Sequence, residues 1–435
     1  MPNKKLKVGN VPNLRFPGFE GEWKTKKLGL FIDIISGIPL QSEDIQVDES
    51  GIRILRGINI TEGFIRHNKE IDRYYPKPIT DKFQKFILEE NDLVLGMDGS
   101  KVGKNVALIS NLDVGSILIQ RVAKIKALEN ADINFIFQKI YSERFQRYVD
   151  VVNTSSGIPH ISLQQIKDFE SNFPATLPEQ KKVANFLSLL DQRIQTQNKI
   201  IEGLKLSKKI LIKKIFNQQL SFDGRHNNNF PDWEEKKIKE LFSFKITNSF
   251  SREQLNHKNG KVKNIHYGDI HTRFQTLFDI EKEEVPYINT DVNINKINEE
   301  NYCAIGDMVF ADASEDLIDV GKSIEIVNLN NQKLLAGLHT ILARPISNTF
   351  SIGFCGYLFK SDRIRTQIQK ESQGSKVLSI SAVRLSNISF SIPCIEEQII
   401  ITNFLSSIDS KIDIETRFLQ KLELQKKFLL QNLFV

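Results

Sequence analysis

Residues 179–216 read EQKKVANFLSLLDQRIQTQNKIIEGLKLSKKILIKKIF, and residues 397–434 read EQIIITNFLSSIDSKIDIETRFLQKLELQKKFLLQNLF. The second stretch lies on the first without a gap. Phe186-Leu187 falls on Phe404-Leu405, Asp191 on Asp409, Ile194 on Ile412, and Leu204 on Leu422. Lys208-Lys209 falls on Lys426-Lys427, Leu211 on Leu429, and Phe216 on Phe434. An internal repeat fixes architecture before any local reading does. A period of roughly 200 residues is far too long for a solenoid, so it predicts a duplicated domain pair with approximate twofold symmetry.

Within each copy the apolar residues follow alternating spacings of four and three. The first seam is Val183, Leu187, Leu190, Ile194, Gln197, Ile201, Leu204, Lys208, Leu211 and Ile215. The second is Ile401, Leu405, Ile408, Ile412, Glu415, Leu419, Leu422, Lys426, Leu429 and Leu433. Both are heptad seams with polar residues at the same two steps, and such a seam buries its stripe against another helix. The plainer alternative is two helices that each pack on their own domain. Antiparallel pairing sets Lys208 opposite Glu415 and Gln197 opposite Lys426. It also stacks Ile194 on Leu429, Ile201 on Leu422, Leu204 on Leu419 and Leu211 on Ile412. Parallel pairing in register sets Lys208 against Lys426, a buried like-charge contact, so the sequence favours antiparallel. At ~1.5 Å per residue each run is about 57 Å long, the dimension of a spacer between domains.

The repeat continues outside the helices. Trp23-Lys24-Thr25-Lys26-Lys27-Leu28 matches Trp233-Glu234-Glu235-Lys236-Lys237-Ile238, each after a Phe-Pro pair. Residues 54–60 match 265–270, Asn91–Leu95 matches Gly306–Phe310, and Gly157–Ser162 matches Gly374–Ser381. Between these anchors the copies diverge. Short runs at Asp92–Leu95, Val106–Ile109, Ile117–Ile119 and Val309–Phe310 read as strands. Thr80–Leu88 and Phe135–Val151 read as helices by spacing. The predicted fold is α+β: two pseudo-symmetric mixed α/β domains separated by a long antiparallel two-helix coiled coil. The expected segments are residues 1–176 (domain one), 177–220 (helix), 221–229 (turn-rich linker), 230–394 (domain two) and 395–435 (second helix).

Composition excludes several classes. No stretch of about 18 apolar residues and no apolar leader core is present, so a cytoplasmic protein without membrane contact is expected. The three cysteines, Cys303, Cys355 and Cys394, lie far apart and lack metal-ligand spacing. Net charge is +6 with a pI near 8.9, which permits a polyanionic partner without requiring one. Gly99-Ser-Lys-Val-Gly-Lys104 has three residues between its glycines and no Ser or Thr after Lys104, so it is not a P-loop. The carboxylates near Asp232 are crowded into five residues and do not make a nuclease metal site. His266 and His271 have no zinc-type partners. No amino-methyltransferase Asn/Asp-Pro-Pro-Tyr/Phe motif, methyl-donor glycine loop or helicase motif is found. The pattern is that of a reader without catalytic machinery.

A variable domain, a long helix, a second variable domain and a second long helix resemble the specificity subunit of type I restriction–modification enzymes. Leu-Pro-Glu-Gln at 177–180 with Phe186-Leu187 and Asp191 carries the resemblance. So do Glu396-Glu397-Gln398 with Asn403-Phe404-Leu405 and Asp409, the two tryptophans, and the Lys-Lys-x-x-Leu ending of both helices. It spans essentially the whole chain. The resemblance implies two target recognition domains, each reading half of a split duplex DNA sequence. It also implies helices that act as a ruler and dock two methylation subunits, with restriction subunits joining through the complex. No cofactor is expected in this chain; S-adenosylmethionine, ATP and Mg are expected on partner subunits. On that reading, bases and phosphates call for Arg, Lys, Asn and Gln in loops. Domain one offers Arg56, Asn59, Arg66, Arg73, Lys101, Lys104, Gln120, Arg121, Ser156 and His160. Domain two offers His266, Tyr267, His271, Arg273, Lys322, His339, Ser375 and Lys376. The alternative is a protein–protein adaptor that uses the coiled coil as a scaffold without reading DNA.

Overall fold

A computed structural model describes residues 9–153, 157–222 and 230–435. Ser156 and residues 223–229 of the expected linker lie outside the described residues. The heptad runs form two long helices, Leu177–Phe216 of 40 residues and Ile395–Leu433 of 39. Every polar and apolar seam position from Leu190 to Leu211 and from Ile408 to Leu429 is buried or half-buried. The chain divides into two compact units. Unit 1 comprises the residues up to Asn198 together with Arg417–Val435, and unit 2 is Lys199–Thr416. Each unit therefore contains the start of one long helix and the end of the other.

In unit 1, Val183, Ala184 and Leu187 share a core with Leu429, Leu430 and Leu433. In unit 2, Ile212, Ile215 and Phe216 share a core with Ile401 and Leu405. Within each unit the helix segments run antiparallel, as the seam predicts. The register differs from expectation. Lys208 pairs with Asp409 at 2.5 Å rather than with Glu415, and Lys426 pairs with Asp191 at 2.6 Å rather than with Gln197. Glu415 instead meets Lys411 one turn away at 2.6 Å. The reason lies in the domains. Gln138 donates to Asp191 at 2.7 Å and the Tyr357 hydroxyl donates to Asp409 at 2.7 Å, so both carboxylates are already positioned. Each lysine also lies over a ring, Lys426 at 4.0 Å from the Tyr141 centroid and Lys208 at 5.1 Å from that of Tyr357. A half-buried ammonium gains most where a fixed carboxylate and a π face coincide.

The globular part of unit 1 is built on a four-stranded antiparallel sheet in the order Ile32–Ser36, Val122–Ala127, Leu93–Gly96, Val106–Leu108. A three-stranded sheet of Arg73–Tyr75, Ile52–Leu55 and Ile117–Leu118 accompanies it, and Lys24–Lys27 pairs with Glu170–Phe173. Unit 2 repeats the order with Phe242–Lys245, Thr340–Pro345, Met308–Ala311 and Ser323–Asn328, and adds Leu277–Asp279 at the edge. Its Val262–Ile265, Lys333–Ala336 and Tyr287–Ile288 match the three-stranded sheet, and Glu234–Lys237 pairs with Ser389–Ile392. Two predicted helices are revised. Thr80–Leu88 keeps one helical turn, Asp81–Gln84, because Leu88 N–H binds Ser116 O and Phe86 O accepts from Leu118. Phe135–Val151 is two helices, Ile133–Tyr141 and Glu143–Val152, broken where extended Ser142 turns to cap the second by accepting from Phe145 N–H.

The repeated Glu-Gln dipeptide fastens each long helix to its own unit. Trp23 Nε1 donates to Glu179 at 3.1 Å, and Trp233 Nε1 donates to Glu397 at 3.0 Å. Gln180 accepts from Asp132 N–H and donates to Asn130 O; Gln398 accepts from Ser351 N–H and donates to Thr349 O. Both units also share a glycine in the left-handed region, Gly103 at φ 75° and Gly321 at φ 64°. A Cβ on Gly103 would come within 2.8 Å of Val149, and one on Gly321 within 2.6 Å of Ile368. Backbone conformation and helix contact both exclude a side chain there.

Candidate nucleic-acid interface

In unit 1 the strands Ile52–Leu55 and Ile117–Leu118 run parallel, so the loops beginning at Arg56 and Gln120 leave from the same ends. Gly96 pairs with Val122, which brings Asp98 beside Arg121. The Asp98 carboxylate lies between Arg121 Nη1 at 3.0 Å and His160 Nδ1 at 2.5 Å. Gly99 N–H binds Pro159 O at 3.0 Å. Three separated segments, Gly99–Lys104, Gln120-Arg121 and Pro159-His160, are thus joined at one place. Lys101 reaches Glu62 at 3.1 Å, while Lys104 and Gln120 are exposed.

Arg56, Asn59, Arg66 and Arg73 form a second group around the 66–73 loop. Arg56 donates to Ile71 O, Arg66 to Ile58 O at 3.1 Å, and Arg73 to the Glu70 and Asp72 carbonyls. Burial lowers the Arg56 guanidinium from its ordinary value, and Arg73 adds to the effect. Asn59 needs correction as a base-reading residue. It is 1% exposed, its Oδ1 accepts from Arg56 N–H, and its Nδ2 donates to Arg66 O and to Asp72 at 3.0 Å. Both ends of the amide are taken, so Asn59 holds the loop in shape.

Unit 2 gathers its expected residues around Tyr267. The Tyr267 ring lies 4.6 Å from His266, 5.4 Å from His339 and 6.1 Å from His271, centroid to centroid. His271 Nε2 donates to Ala313 O at 3.0 Å, and Lys322 Nζ donates to His271 O at 2.6 Å. His339 meets Asp312 at 3.2 Å. Ala313 pairs with Ser379, which draws in the exposed loop of Ser375 and Lys376. Arg273 is exposed, 3.9 Å from Asp269. His266 also needs correction. It caps helix Tyr267–Thr272 by accepting from Gly268 N–H, and burial, with Arg252 nearby, lowers its pKa. The buried imidazole holds the start of that helix and lies beside the Tyr267 ring.

Sequence reading overlooked three carboxylates that organise these places, Asp72 and Asp98 in unit 1 and Asp312 in unit 2; Asp269, within the matched 265–270 run, is the fourth. Arg252 grips Asp269 with two bonds of 2.8 and 3.1 Å. The available signal was position. Met97 N–H binds Arg121 O just as Asp312 N–H binds His339 O, so the two acidic clusters stand at equivalent points of the repeated sheet. What each cluster presents is a set of cations and hydrogen-bond donors on loops, held by a rigid sheet, which suits recognition of an anionic, edge-patterned surface. Among the described residues no helix is long and apolar enough to cross a membrane.

Comparison with known proteins agrees with this geometry. Residues 20–206 and 231–424 match the family described as type I restriction modification DNA specificity domain, once in each half. The chain is 27% identical over 430 residues to the type I restriction enzyme MjaVIII specificity subunit of Methanocaldococcus jannaschii, covering 93% of this chain and 90% of that one. It is 32% identical over 189 residues to the EcoAI specificity subunit of Escherichia coli, covering 43% of this chain and 31% of that one. Among solved structures, the S subunit of a type I restriction-modification system from M. genitalium shares the fold at TM-score 0.57 and 16% identity, over 98% of this chain and 99% of that one. With a matched domain in each half, the chain belongs to the family of type I restriction–modification DNA specificity subunits.

Proposed function

We propose that the chain reads a bipartite duplex DNA target, one half-site per unit, and directs separate subunits that methylate adenine or cleave DNA. As a specificity subunit it is not itself an enzyme. Two methylation subunits and, through the complex, restriction subunits are its protein partners; S-adenosylmethionine, ATP and Mg belong to them. One observation carries the reading: two units share the sheet order, the Trp–Glu and Gln anchors and the Asp–Lys pairs, yet display unlike polar loops at equivalent points. A shared frame with unshared donors is what two readers of different base sequences require.

Mapping adenine methylation in a host with and without this chain tests the proposal. A split motif that disappears with the chain is the expected result; an unchanged methylome refutes it. The long helices are proposed to set the unread gap of that motif. Adding one heptad to both should lengthen the gap, and an unchanged gap would remove the ruler role while leaving the reading role intact.

A further inference from the structure

Unit 2 contains a cavity of about 290 Å³ between the first long helix and the corner at residues 360–362. Five lysines line it: Lys205, Lys208, Lys209, Lys213 and Lys360. Thr276 supplies a hydroxyl, and Asp362 is the one carboxylate. Lys213 lies 3.7 Å from Asp362, and Lys208 is held by Asp409. Lys205, Lys209 and Lys360 have no ion pair among the described residues. A second cavity of about 210 Å³ adjoins through Lys360 and is lined by Lys322 and Arg365 with Asp319. The three ammonium groups without an ion pair make this concave space electropositive, and an anion entering it would offset their repulsion. Burial, followed by Lys322, Arg365 and Lys208, pushes Lys360 down to about 8.

The fold does not demand this charge. In unit 1 the repeat places Glu423 where unit 2 has Lys205, and Gln431 where it has Lys213. The corner residues there are Tyr141 and Glu143, and Glu143 pairs with Lys427 at 3.0 Å. The same frame is nearly neutral in one unit and strongly basic in the other. The space is a groove open to solvent, and its donors are point charges rather than planar forks, a set suited to a tetrahedral, multiply charged oxyanion.

We infer that this lysine-lined cavity of unit 2 is a binding site for a phosphate group. Its two possible sources are a free phosphate compound and the backbone of duplex nucleic acid. Only the second rests on the function proposed above. Lys322, whose ammonium binds the His271 carbonyl, connects the paired cavities to the candidate interface of the same unit.

The test titrates the full chain with inorganic pyrophosphate by calorimetry, and with a random-sequence duplex over a range of salt concentrations. Lys205→Met/Lys209→Met alters two exposed side chains and leaves the core intact; Lys360→Met alters the shared wall. Lys427→Met, at the matched place in unit 1, is the control. Each cavity variant is expected to weaken pyrophosphate binding about tenfold, or to flatten the duplex salt slope by about 1 per lysine removed. Loss in the duplex arm identifies a backbone phosphate, and loss confined to pyrophosphate identifies a free one. If wild-type chain binds pyrophosphate but no duplex, the DNA reading fails and the site stands. Unchanged affinity in both arms, or an equal loss in Lys427→Met, overturns the inference.

Discussion

Units 1 and 2 agree where helix meets domain and disagree nearly everywhere a ligand could reach. Tryptophan to glutamate, glutamine to backbone and lysine to aspartate are made in both by residues at matched positions. Yet Gln138 in unit 1 and Tyr357 in unit 2 serve the same carboxylate role by different chemistry. Arg121 stands where unit 2 has His339, and the register that sets Leu108 opposite Leu93 sets Glu325 opposite Met308. The comparison teaches that this frame tolerates replacement of a partner provided its hydrogen bond survives, while the loops above it are free to change in kind.

The Asp–Lys pairs provide the largest expected effects. Asp191→Ala strands Lys426, whose side chain is 11% exposed, and should destabilise unit 1 by about 3–5 kcal/mol in denaturant melts. Asp409→Ala should cost clearly less, since that carboxylate is 38% exposed. Equal losses would break the distinction between the units.

Next comes pH. Glu325 is 1% exposed, and burial raises it to about 7, although Gly353 and Gly356 N–H groups bind its oxygens. Its folded value lies above its unfolded value. Its contribution is therefore full below the unfolded pKa near 4.5 and is lost as pH climbs through about 7, at most about 3 kcal/mol. Hydrogen exchange should show Ser323–Asn328 losing protection over that window while Val106–Leu108 does not. Glu325→Gln should flatten the response, and a slope that persists in that variant would assign it to another group.

Gly103→Ala and Gly321→Ala should each cost about 2 kcal/mol, from left-handed backbone and from Val149 or Ile368. Val149→Ala should recover part of the first loss and none of the second. Smallest are the loop cations. Lys104→Ala and Lys376→Ala should each weaken duplex binding by about 1 kcal/mol and flatten its salt dependence by about 1, irrespective of sequence. A change in the methylated motif instead would make them base readers.

The helices were legible because their periodicity is long and stated twice. Direction followed from two polar steps, but register did not. Asp191 and Asp409 lie off the apolar seam, and their positions depend on Gln138 and Tyr357, which no helical period reveals. Strands Leu93–Gly96 and Val106–Leu108 were readable as short apolar runs. The turn at Ser142 was not, because its cap bond outweighs a continuous amphipathic pattern. In the candidate interface, residue type was a fair guide to which loops gather and a poor guide to which side chains remain available. Asn59 and His266 have the chemistry of readers, yet both are buried; the Asn59 amide is taken at both ends, and His266 caps a helix.

Unit 2 is one unbroken stretch of chain, whereas unit 1 needs Leu429, Leu433 and Phe434 to close the core around Trp23 and Phe135. On the ribosome the half translated later can therefore finish first. The earlier half waits with its aromatic rings uncovered while residues 199–435 are made, about 10 to 50 seconds at ordinary elongation rates, and residues 417–435 close it. A stop codon shortly after Thr416 would leave unit 2 whole but the first-made unit open, and so a target for chaperones and proteases.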